Sequence, residues 1–366
     1  MIIGVDGNEA NVEKLVGVSV YTLKLLEYFK KNADSHLRFK IFLKYPPLNH
    51  LPKENDFFRY KVVKGPLWSQ VTLPLHFFKE IIKKEKLNVF FSPAHYAPRF
   101  LPFKSVVTVH DLSYFYFPEE FLKKDLYQLK NWTAYSVKRA QKVIAVSKTT
   151  KKDLIKFYKL PEEKIKVIYN GWEKKSVKPK KPNFNLRPKK FILFVSTIQP
   201  RKNIVRLATA FDKFKKETQA DLKLVIAGKK GWLYQKIFYD VEKFQAKNEI
   251  IFTDYLSENE LAWLYKNALF FVHPSLYEGF GLPVLEAFSR SLPVACSFTG
   301  ALPEVAGEAG VYFDPLNVDD IKDKIEKLWK DKALREKLKK QGKQRLKEFS
   351  WEKCGKETLE VITGVI

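Results

Sequence analysis

The segment His273–Phe288, HPSLYEGFGLPVLEAF, decides the fold prediction for this chain. It directly follows a short apolar run, Leu269–Val272, which is typical of a buried strand in a parallel sheet. It continues through the glycine-bearing loop Gly279–Leu282 into Pro283, and proline suits the first turn of a helix because its missing N–H needs no partner there. The segment therefore predicts a strand, a glycine loop and a helix that opens at Pro283.

Two carboxylates, Glu278 and Glu286, stand eight positions apart around this loop. Free backbone N–H groups and the positive end of a helix dipole attract an anion such as phosphate. Carboxylates repel phosphate but accept hydrogen bonds from sugar hydroxyls, so the combination indicates recognition of a sugar nucleotide. The alternative is an ordinary strand–helix turn, with Glu278 as a solvated loop charge and Glu286 as a helix-start charge, and the spacing alone favours that alternative.

The residue pattern of the segment separates the two interpretations. E-G-F-G-L-P-x-x-E-A strongly resembles the Glu-x7-Glu motif of the retaining glycosyltransferases of family 4, which have the GT-B fold. The resemblance implies that Glu278 contacts the donor sugar and that Glu286 binds the ribose hydroxyls of the nucleotide. The loop residues predicted to face the donor diphosphate are Gly279, Phe280, Gly281 and Leu282.

An earlier unit repeats the arrangement of strand, loop and helix start. The apolar run Phe191–Thr197 leads into I-Q-P-R-K-N, which puts Arg201 and Lys202 where a phosphate-binding loop would lie. Two solvated loop charges are the alternative. P-R-K-N resembles the family segment in which the lysine pairs with the donor diphosphate. Many relatives carry a second arginine after the strand, where this chain has Val195–Ser196, so Lys202 and Arg201 alone are expected to meet the phosphate charge.

The first half supplies two further predicted site residues. Gly17 lies in G-V-S-V-Y-T before a predicted helix, Val18–Lys31, and this segment resembles the family loop that approaches the donor phosphates or the acceptor. A lone glycine there is usually only a turn. His110 closes V-V-T-V-H at a strand end, where open α/β sheets bind ligands. V-x-V-H-D-L also resembles the family, in which the histidine lines the donor–acceptor cleft. With an unperturbed pKa of about 6.5, a histidine there donates a hydrogen bond or shuttles a proton. The alternative is a histidine with a purely structural role.

Strand and helix patterns alternate along both halves, which predicts an α/β chain with parallel sheets. The resemblance implies the GT-B fold, with two Rossmann-like domains facing across a cleft. The predicted boundaries are residues 1–171 for the acceptor-binding domain, 172–190 for a linker rich in lysine and proline, 191–348 for the nucleotide-sugar domain, and 349–366 for a helix that crosses back to the first domain.

Asn317–Lys347 is predicted as amphipathic helix. The predicted strands are Ile2–Asp6, Phe39–Leu43, Tyr60–Val63, Val89–Ser92, Ser105–Val109, Val143–Val146, Lys166–Tyr169, Phe191–Thr197, Leu222–Gly228, Ile250–Thr253, Leu269–His273, Pro293–Cys296 and Gly310–Phe313.

The net charge is strongly positive, with 66 Lys and Arg against 41 Asp and Glu, or +25. The excess is spread along the chain and is almost all lysine, which disfavours nucleic acid as a partner. Two explanations stay open. An anionic membrane surface attracts such a chain by about 1 kcal/mol per nearby Lys or Arg, and a composition rich in Lys and Glu is typical of heat-adapted proteomes. Pro66–Lys86 mixes aromatic side chains with lysines, as an interfacial helix does, or is a core helix with a solvated lysine face.

Cysteine usage and the N-terminus bear on location. Cys296 and Cys354 lie far apart without metal-type or disulfide-type spacing, which predicts a reduced, cytoplasmic compartment. The opening residues, MIIGVDGNEA, enter a strand pattern without a basic segment, so no signal peptide is expected. The sequence contains no run of about 18 uncharged apolar residues, so no membrane-spanning helix is expected. Peripheral contact with the inner face of the membrane is the remaining option.

The resemblance implies a retaining hexosyltransferase that uses a nucleotide sugar and a glycan or lipid-linked acceptor, and a metal-independent reaction without a cofactor is expected. No Asp-x-Asp metal motif is present, so Lys202, Arg201, the loop amides and the helix dipole are expected to stabilise the leaving diphosphate. P-R-K-N resembles bacterial mannosyltransferases of surface polysaccharides, which makes GDP-mannose the expected donor and leaves UDP-linked hexoses open. The alternatives are a nucleotide-sugar epimerase or sugar phosphorylase of the same fold, and a basic nucleic-acid-binding protein.

Overall fold

The chain divides into two compact units, which are described separately. In a computed structural model that describes residues 1–82, 87–173 and 177–366, one unit comprises Met1–Gly171 with Phe349–Ile366, and the other comprises Trp172–Glu348. The predictions for residues 83–86, at the end of the aromatic and basic stretch, and for residues 174–176, in the linker, lie outside the described residues. Residues 177–190 form neither helix nor strand.

The first unit is built on a parallel sheet, because its apolar runs are joined by long crossover connections. Over the described residues the sheet has seven strands in the order β3-β2-β1-β4-β5-β6-β7. They are β1 (Ile2–Asp6), β2 (Arg38–Leu43), β3 (Phe58–Val62), β4 (Val89–Ser92), β5 (Lys104–Val109), β6 (Lys142–Ala145) and β7 (Ile165–Val167). Strand order reverses between β1 and β4, and open α/β sheets bind ligands at the carboxyl ends of strands at such a switch point.

The second unit repeats this plan. Over the described residues its parallel sheet has six strands in the order β10-β9-β8-β11-β12-β13. They are β8 (Phe191–Val195), β9 (Lys223–Ala227), β10 (Ile250–Phe252), β11 (Phe271–His273), β12 (Val294–Ser297) and β13 (Gly310–Phe313). The switch point lies between β8 and β11, the two strands that precede the P-R-K-N segment and the Glu-x7-Glu segment. All thirteen predicted strands are confirmed, with ends that differ by at most two residues.

Helices cover the faces of both sheets. The first unit contains α1 (Val18–Lys31), α2 (Leu73–Ile82), α3 (Ser113–Tyr116), α4 (Lys123–Arg139) and α5 (Lys148–Tyr158), with a short π-helix, Trp68–Thr72, before α2. The second contains α6 (Ile204–Thr218), α7 (Tyr234–Val241), α8 (Glu258–Asn267), α9 (Leu282–Ser289), α10 (Leu302–Ala306), α11 (Val318–Lys330) and α12 (Lys332–Arg345). The bounds predicted for α1 are confirmed.

The last helix, α13 (Trp351–Thr363), completes the core of the first unit. Its Cys354 and Ile362 are buried in one cluster with Phe29 of α1. Gly355 faces the ring of Tyr28, and a Cβ atom at this glycine would lie 2.3 Å from that ring. The missing side chain therefore lets α13 lie directly against α1.

The segment Asn317–Lys347, predicted as amphipathic helix, is helical over most of its length and is divided into two helices, α11 and α12. The break is at Asp331, whose side chain accepts a hydrogen bond from the backbone N–H of Leu334 and so caps the start of α12.

Candidate functional site

The loops that follow β8 and β11 meet in the second unit. Arg201 and Lys202, in the turn Pro200–Lys202, are only 7% and 8% exposed. The ammonium nitrogen of Lys202 lies 2.5 Å from Oε1 of Glu278, and Nη1 of Arg201 lies 3.9 Å from Oε2 of Glu278. Arg201 also donates to the carbonyl oxygen of Tyr277 at 2.7 Å. The alternative of solvated loop charges is therefore wrong for this group.

His273, the last residue of β11, completes the cluster and was not predicted as a site residue. Its Nε2–H donates to Oε1 of Glu278 at 3.0 Å. The ring is fully buried and stacks with Phe194 and Phe271, with centroid distances of 5.9 and 5.6 Å. Its position at a strand end, five residues before Glu278, is the signal that would have found it. The contact holds the Glu278 carboxylate in one orientation.

The charge of Glu278 follows from its neighbours. Burial by itself raises the pKa of this carboxyl group, but Lys202, the His273 N–H and Arg201 together hold the pKa well below its usual value. Glu278 is therefore ionised at neutral pH and partly neutralises two buried cations. A cluster of this kind offers cations to an anion and a carboxylate to hydroxyl groups.

Glu286 lies one and a half turns into α9 and has a different partner. The hydroxyl of Tyr265, from α8, donates to Oε2 of Glu286 at 2.8 Å. Burial, followed by the nearby carboxylate, raises the pKa of Tyr265 well above its usual value, so this phenol stays a donor. Tyr265 was also not predicted, because it belongs to a helix twenty-one residues upstream. The contact orients the Glu286 carboxylate.

Two glycines with positive φ lie in or beside the glycine loop. Gly281 has φ +108° and directly precedes α9. The helix begins at Leu282, one residue earlier than predicted, so Pro283 is its second residue. Gly300 has φ +61°, and a Cβ atom there would lie 2.7 Å from the backbone of Glu278. Both positions favour glycine, because L side chains rarely adopt such φ values. Gly279, Phe280 and Gly281 are buried in this loop, and Leu282 is half-buried.

His110 and Gly17 belong to the first unit. Nε2–H of His110 donates to the carbonyl oxygen of Pro93 at 2.8 Å, and the ring meets Tyr21 edge to face at 4.8 Å. Burial, and then the neighbouring His95, lower the pKa of His110 to about 4, so its ring is neutral at neutral pH. Gly17 has φ +42° and is the N-cap of α1, and a Cβ atom there would point into open space. The structure thus brings Arg201, Lys202 and Glu278 together, whereas the roles of His110 and Gly17 stay predictions.

The described part of the chain contains no group of three or more His, Cys, Asp or Glu side chains placed to hold a metal ion. Cys296 and Cys354 are buried thiols. None of the helices in residues 1–82, 87–173 and 177–366 is long and apolar enough to cross a membrane.

Comparison with known proteins identifies the family to which the chain is similar. The family model "Glycosyl transferases group 1" matches residues 176–345, and the model "Glycosyltransferase Family 4" matches residues 16–174. The O-antigen chain mannosyltransferase B of Escherichia coli is 32% identical over 286 residues, which are 76% of this chain and 74% of that protein. The O-antigen chain mannosyltransferase RfbU of Salmonella typhimurium is 34% identical over 57% of this chain and 56% of its own length.

Solved structures with a similar fold superpose on nearly the whole chain. Sucrose-phosphate synthase from Thermosynechococcus elongatus superposes with a TM-score of 0.78 at 19% identity, covering 100% of this chain and 98% of that one. Anabaena HepE, in complex with UDP and glucose, superposes with a TM-score of 0.74 at 16% identity, covering 99% of both chains. At these identities the likeness concerns the fold.

Proposed function

The chain belongs to the glycosyltransferases of group 1 and family 4 and has their GT-B fold, and from this premise we propose that it transfers mannose from GDP-mannose to a glycan or lipid-linked acceptor with retention at the anomeric carbon. The observation that carries the proposal is the buried cluster of Lys202, Arg201 and Glu278 at the switch point of the second sheet. The relatives that are mannosyltransferases support the choice of donor.

In the proposed mechanism, the donor diphosphate binds to Lys202, Arg201 and the backbone N–H groups at the start of α9. Buried cations that are fixed before the reaction stabilise the charge that develops on the leaving diphosphate without having to reorganise. The bond between the anomeric carbon and the phosphate oxygen breaks, and a bond to the acceptor oxygen forms on the same face. The leaving phosphate takes the proton of the acceptor hydroxyl, so no separate protein base is required.

The two carboxylates have different proposed partners. Glu278, held by His273 and Lys202, accepts hydrogen bonds from hydroxyls of the transferred sugar. Glu286, held by Tyr265, accepts hydrogen bonds from the ribose hydroxyls. The donor diphosphate attracts the same ammonium group that pairs with Glu278. In the donor complex, Lys202 therefore interacts with both the diphosphate and the Glu278 carboxylate.

A thermal-shift series tests the choice of nucleotide. GDP is expected to raise the melting temperature most, with UDP and ADP as matched controls, because a ligand at about 100 times its Kd adds roughly 2.7 kcal/mol of stability. A larger shift with UDP would replace GDP-mannose by a UDP-linked hexose. The anomeric configuration of the product, read by NMR, tests retention, and activity in the presence of EDTA tests metal independence.

The two alternative functions predict different results. A sugar phosphorylase of this fold would hold pyridoxal phosphate, which gives the purified protein visible absorbance, and an epimerase would convert the nucleotide sugar without an acceptor. A nucleic-acid-binding protein would bind duplex with a steep salt dependence. The family matches favour glycosyl transfer over these alternatives.

We further propose peripheral contact with an anionic membrane through the segment Trp68–Ile82. Trp68, Leu73 and Phe77 of this segment are buried in the core. An exposed apolar stripe runs along the same stretch and consists of Leu67, Val71, Leu75 and Phe78, which are 66%, 43%, 57% and 46% exposed. Leu75 and Phe78 are three residues apart in α2 and share one helical face, while Leu67 directly precedes the π-helix and Val71 lies within it. The exposed Lys64 and Lys79 add positive charge beside them.

Flotation with vesicles that contain phosphatidylglycerol tests this contact. The substitutions Leu75→Gln and Phe78→Gln are expected to release the chain from the vesicles. Leu316→Gln is the matched control, because Leu316 is an exposed apolar residue in the other unit. Added salt is expected to weaken binding once the Debye length falls below about 8 Å. Equal binding of all three variants would leave the stripe without a membrane role.

A further inference from the structure

A cavity of about 340 Å³ lies in the first unit at the amino-terminal edge of the sheet. This amino-edge cavity is lined by Ser105, the second residue of β5, by Gln141, which directly precedes β6, by the loop between β4 and β5, and by the end of α4. Open α/β sheets bind their substrates at the opposite, carboxyl edge. The cavity is therefore separate from the edge that such substrates use. Its volume falls within the range of small-molecule sites, about 300–1,000 Å³.

The charged side chains that line the amino-edge cavity are all basic. They are Lys138 and Arg139, in the last turn of α4, and no aspartate or glutamate is among the described lining residues. The guanidinium group of Arg99, from the loop between β4 and β5, lies 5.5 Å from the centre of the ring of Tyr135, another lining residue. Exposed lysines are common in a chain with 66 basic and 41 acidic side chains, so these cations alone do not define a site.

The polar groups of the wall supply the second observation, because their oxygens are already used. Oε1 of Gln141 accepts from the backbone N–H of Ser105 at 2.6 Å. The hydroxyl oxygen of Tyr135 accepts from the backbone N–H of Phe100 at 3.1 Å. The Gln141 NH2 group, the Tyr135 O–H and the Ser105 O–H donate no hydrogen bond to any residue that the structure describes. The wall therefore presents donors beside cations, which match an anion with several acceptor oxygens.

The carboxyl end of α4 is compensated where it meets the cavity. The last carbonyl groups of a helix carry partial negative charge, which repels an anion. Here the carbonyl oxygen of Lys138 accepts from the ammonium group of Lys164 at 2.7 Å, and that of Ser136 accepts from the backbone N–H of Ala140 at 2.9 Å. Lys164 thus neutralises one of these carbonyls and brings a further positive charge to this end of the helix.

The remaining wall is apolar and is held by the core. Leu101 and Phe103 line the cavity, are half-buried, and pack against the cluster that contains Phe77 and Phe90. A bare ion gains nothing from such a surface, whereas an organic group attached to the anion buries apolar area against it. The combination of cations, donors and an apolar wall suits a phosphate ester.

We propose that the amino-edge cavity binds the phosphate group of a phosphate ester. The phosphate oxygens pair with Lys138 and Arg139 and accept hydrogen bonds from the three donors of the wall, while the organic part packs on the apolar side. A soluble phosphate ester and the headgroup of a phospholipid share this chemistry. The inference goes beyond the proposed glycosyl transfer and does not rest on it, because the cavity lies at the other edge of the sheet.

Calorimetric titration of the full chain with phenyl phosphate tests the soluble source. Phenyl phosphate is expected to bind, and inorganic phosphate to bind more weakly because it lacks the apolar group. Lys138→Gln and Arg139→Gln are each expected to weaken phenyl phosphate binding by about tenfold or more, since each removes a charged hydrogen-bond donor. Both side chains are exposed, so near-parent melting temperatures are expected. The matched control is Lys124→Gln, an exposed lysine at the start of α4 that does not line the cavity.

Flotation of the same variants with vesicles of phosphatidylglycerol and phosphatidylcholine tests the lipid source. A loss of flotation in Lys138→Gln and Arg139→Gln, but not in Lys124→Gln, would assign the phosphate to a lipid headgroup. A general charge effect would weaken all three variants alike.

Two outcomes overturn the proposal. One is that Lys138→Gln and Arg139→Gln behave as Lys124→Gln does with both phenyl phosphate and vesicles. The other is that phenyl phosphate binding is lost in Lys202→Ala and unchanged in Arg139→Gln, which would place the anion at the cationic cluster of the second unit.

Discussion

The two units share a sheet plan but carry opposite chemistry at the same topological position. In the second unit the loops after β8 and β11 bury Lys202 and Arg201 beside one carboxylate. In the first unit the ends of β1, β2 and β4 surround a cavity whose wall includes Asp6 and Glu9. The sheet plan therefore brings loops to the same edge in both units, and the side chains at that edge differ in charge between the two.

Replacing Lys202 tests the cationic half of this comparison and has the largest expected effect. Lys202→Ala removes a preorganised partner of the leaving diphosphate, so turnover is expected to fall on the order of 100-fold or more. Steady-state transfer is the measurement. Lys213→Ala is the matched control, because the Lys213 side chain, in α6 of the same unit, is 44% exposed and pairs at the surface with Asp319. Turnover of Lys202→Ala within about threefold of the parent would contradict an electrostatic role of this size.

Glu278→Gln sharpens the comparison, because it removes negative charge from the cationic cluster. Turnover is expected to fall by about ten- to a hundredfold, as a charged hydrogen bond to the sugar is lost. Affinity for GDP is expected to stay equal or to rise, since Lys202 and Arg201 lose the carboxylate that neutralises them. Transfer kinetics together with calorimetry of GDP binding measure both effects. Weakened GDP binding at unchanged turnover would assign Glu278 to the nucleotide instead of the sugar.

Glu286→Gln is expected to act on binding. The amide keeps the shape and one acceptor oxygen but loses the charge, which lowers affinity for GDP by roughly tenfold, at the lower end for a charged hydrogen bond. Tyr265→Phe removes only the hydroxyl that orients Glu286, so a smaller loss is expected from this matched variant. Calorimetry gives both affinities. Equal GDP affinity in Glu286→Gln and the parent would favour the alternative interpretation, in which Glu286 is an ordinary charge at the start of a helix.

Much of the second-unit site was predictable from the sequence. Buried parallel strands are apolar runs, and the P-R-K-N and Glu-x7-Glu segments each follow such a run, so strand order alone brings them to one edge. The contact of Lys202 with Glu278 and the positions of His273 and Tyr265 were not predictable. Those contacts depend on loop geometry and on a helix packed from elsewhere, and neither leaves a periodic signal.

The first-unit cavity was not predictable either, for a different reason. Its lining comes from separate loops after three strands and from Trp68 and Trp132. No two of these segments form a motif, and Asp6 reads as the last residue of a strand. Only the sheet order, which brings β4 beside β1, places the carboxylates and the aromatic rings around one space.

The last expected effect concerns stability as a function of pH, and here the two units differ in sign. The pKa of Glu278 is held well below its usual value, so its contribution to stability is present near neutral pH and is lost as the pH falls through its folded-state pKa. Burial, partly offset by the hydrogen bonds from Asn8, raises the pKa of Asp6 from 3.8 to about 6. The folded first unit therefore binds the Asp6 proton more tightly than the unfolded chain does, and its stability falls as the pH rises from about 4 to about 6.

Asp6→Asn removes that dependence, because asparagine stays neutral while its oxygen still accepts from the Asn8 N–H. Relative to the parent, the variant is expected to gain about 1–3 kcal/mol of unfolding free energy between pH 4 and pH 7, since one pKa unit corresponds to about 1.4 kcal/mol and the half-buried site is partly screened. Denaturant unfolding across this pH range, monitored by hydrogen exchange of the β1 amides so that the first unit is read by itself, measures the difference. Glu13→Gln, with its carboxylate exposed, is expected to give a flat difference. A flat difference for Asp6→Asn as well would mean that Asp6 is solvated in the folded chain, and the contrast between the two switch points would then rest on the cations alone.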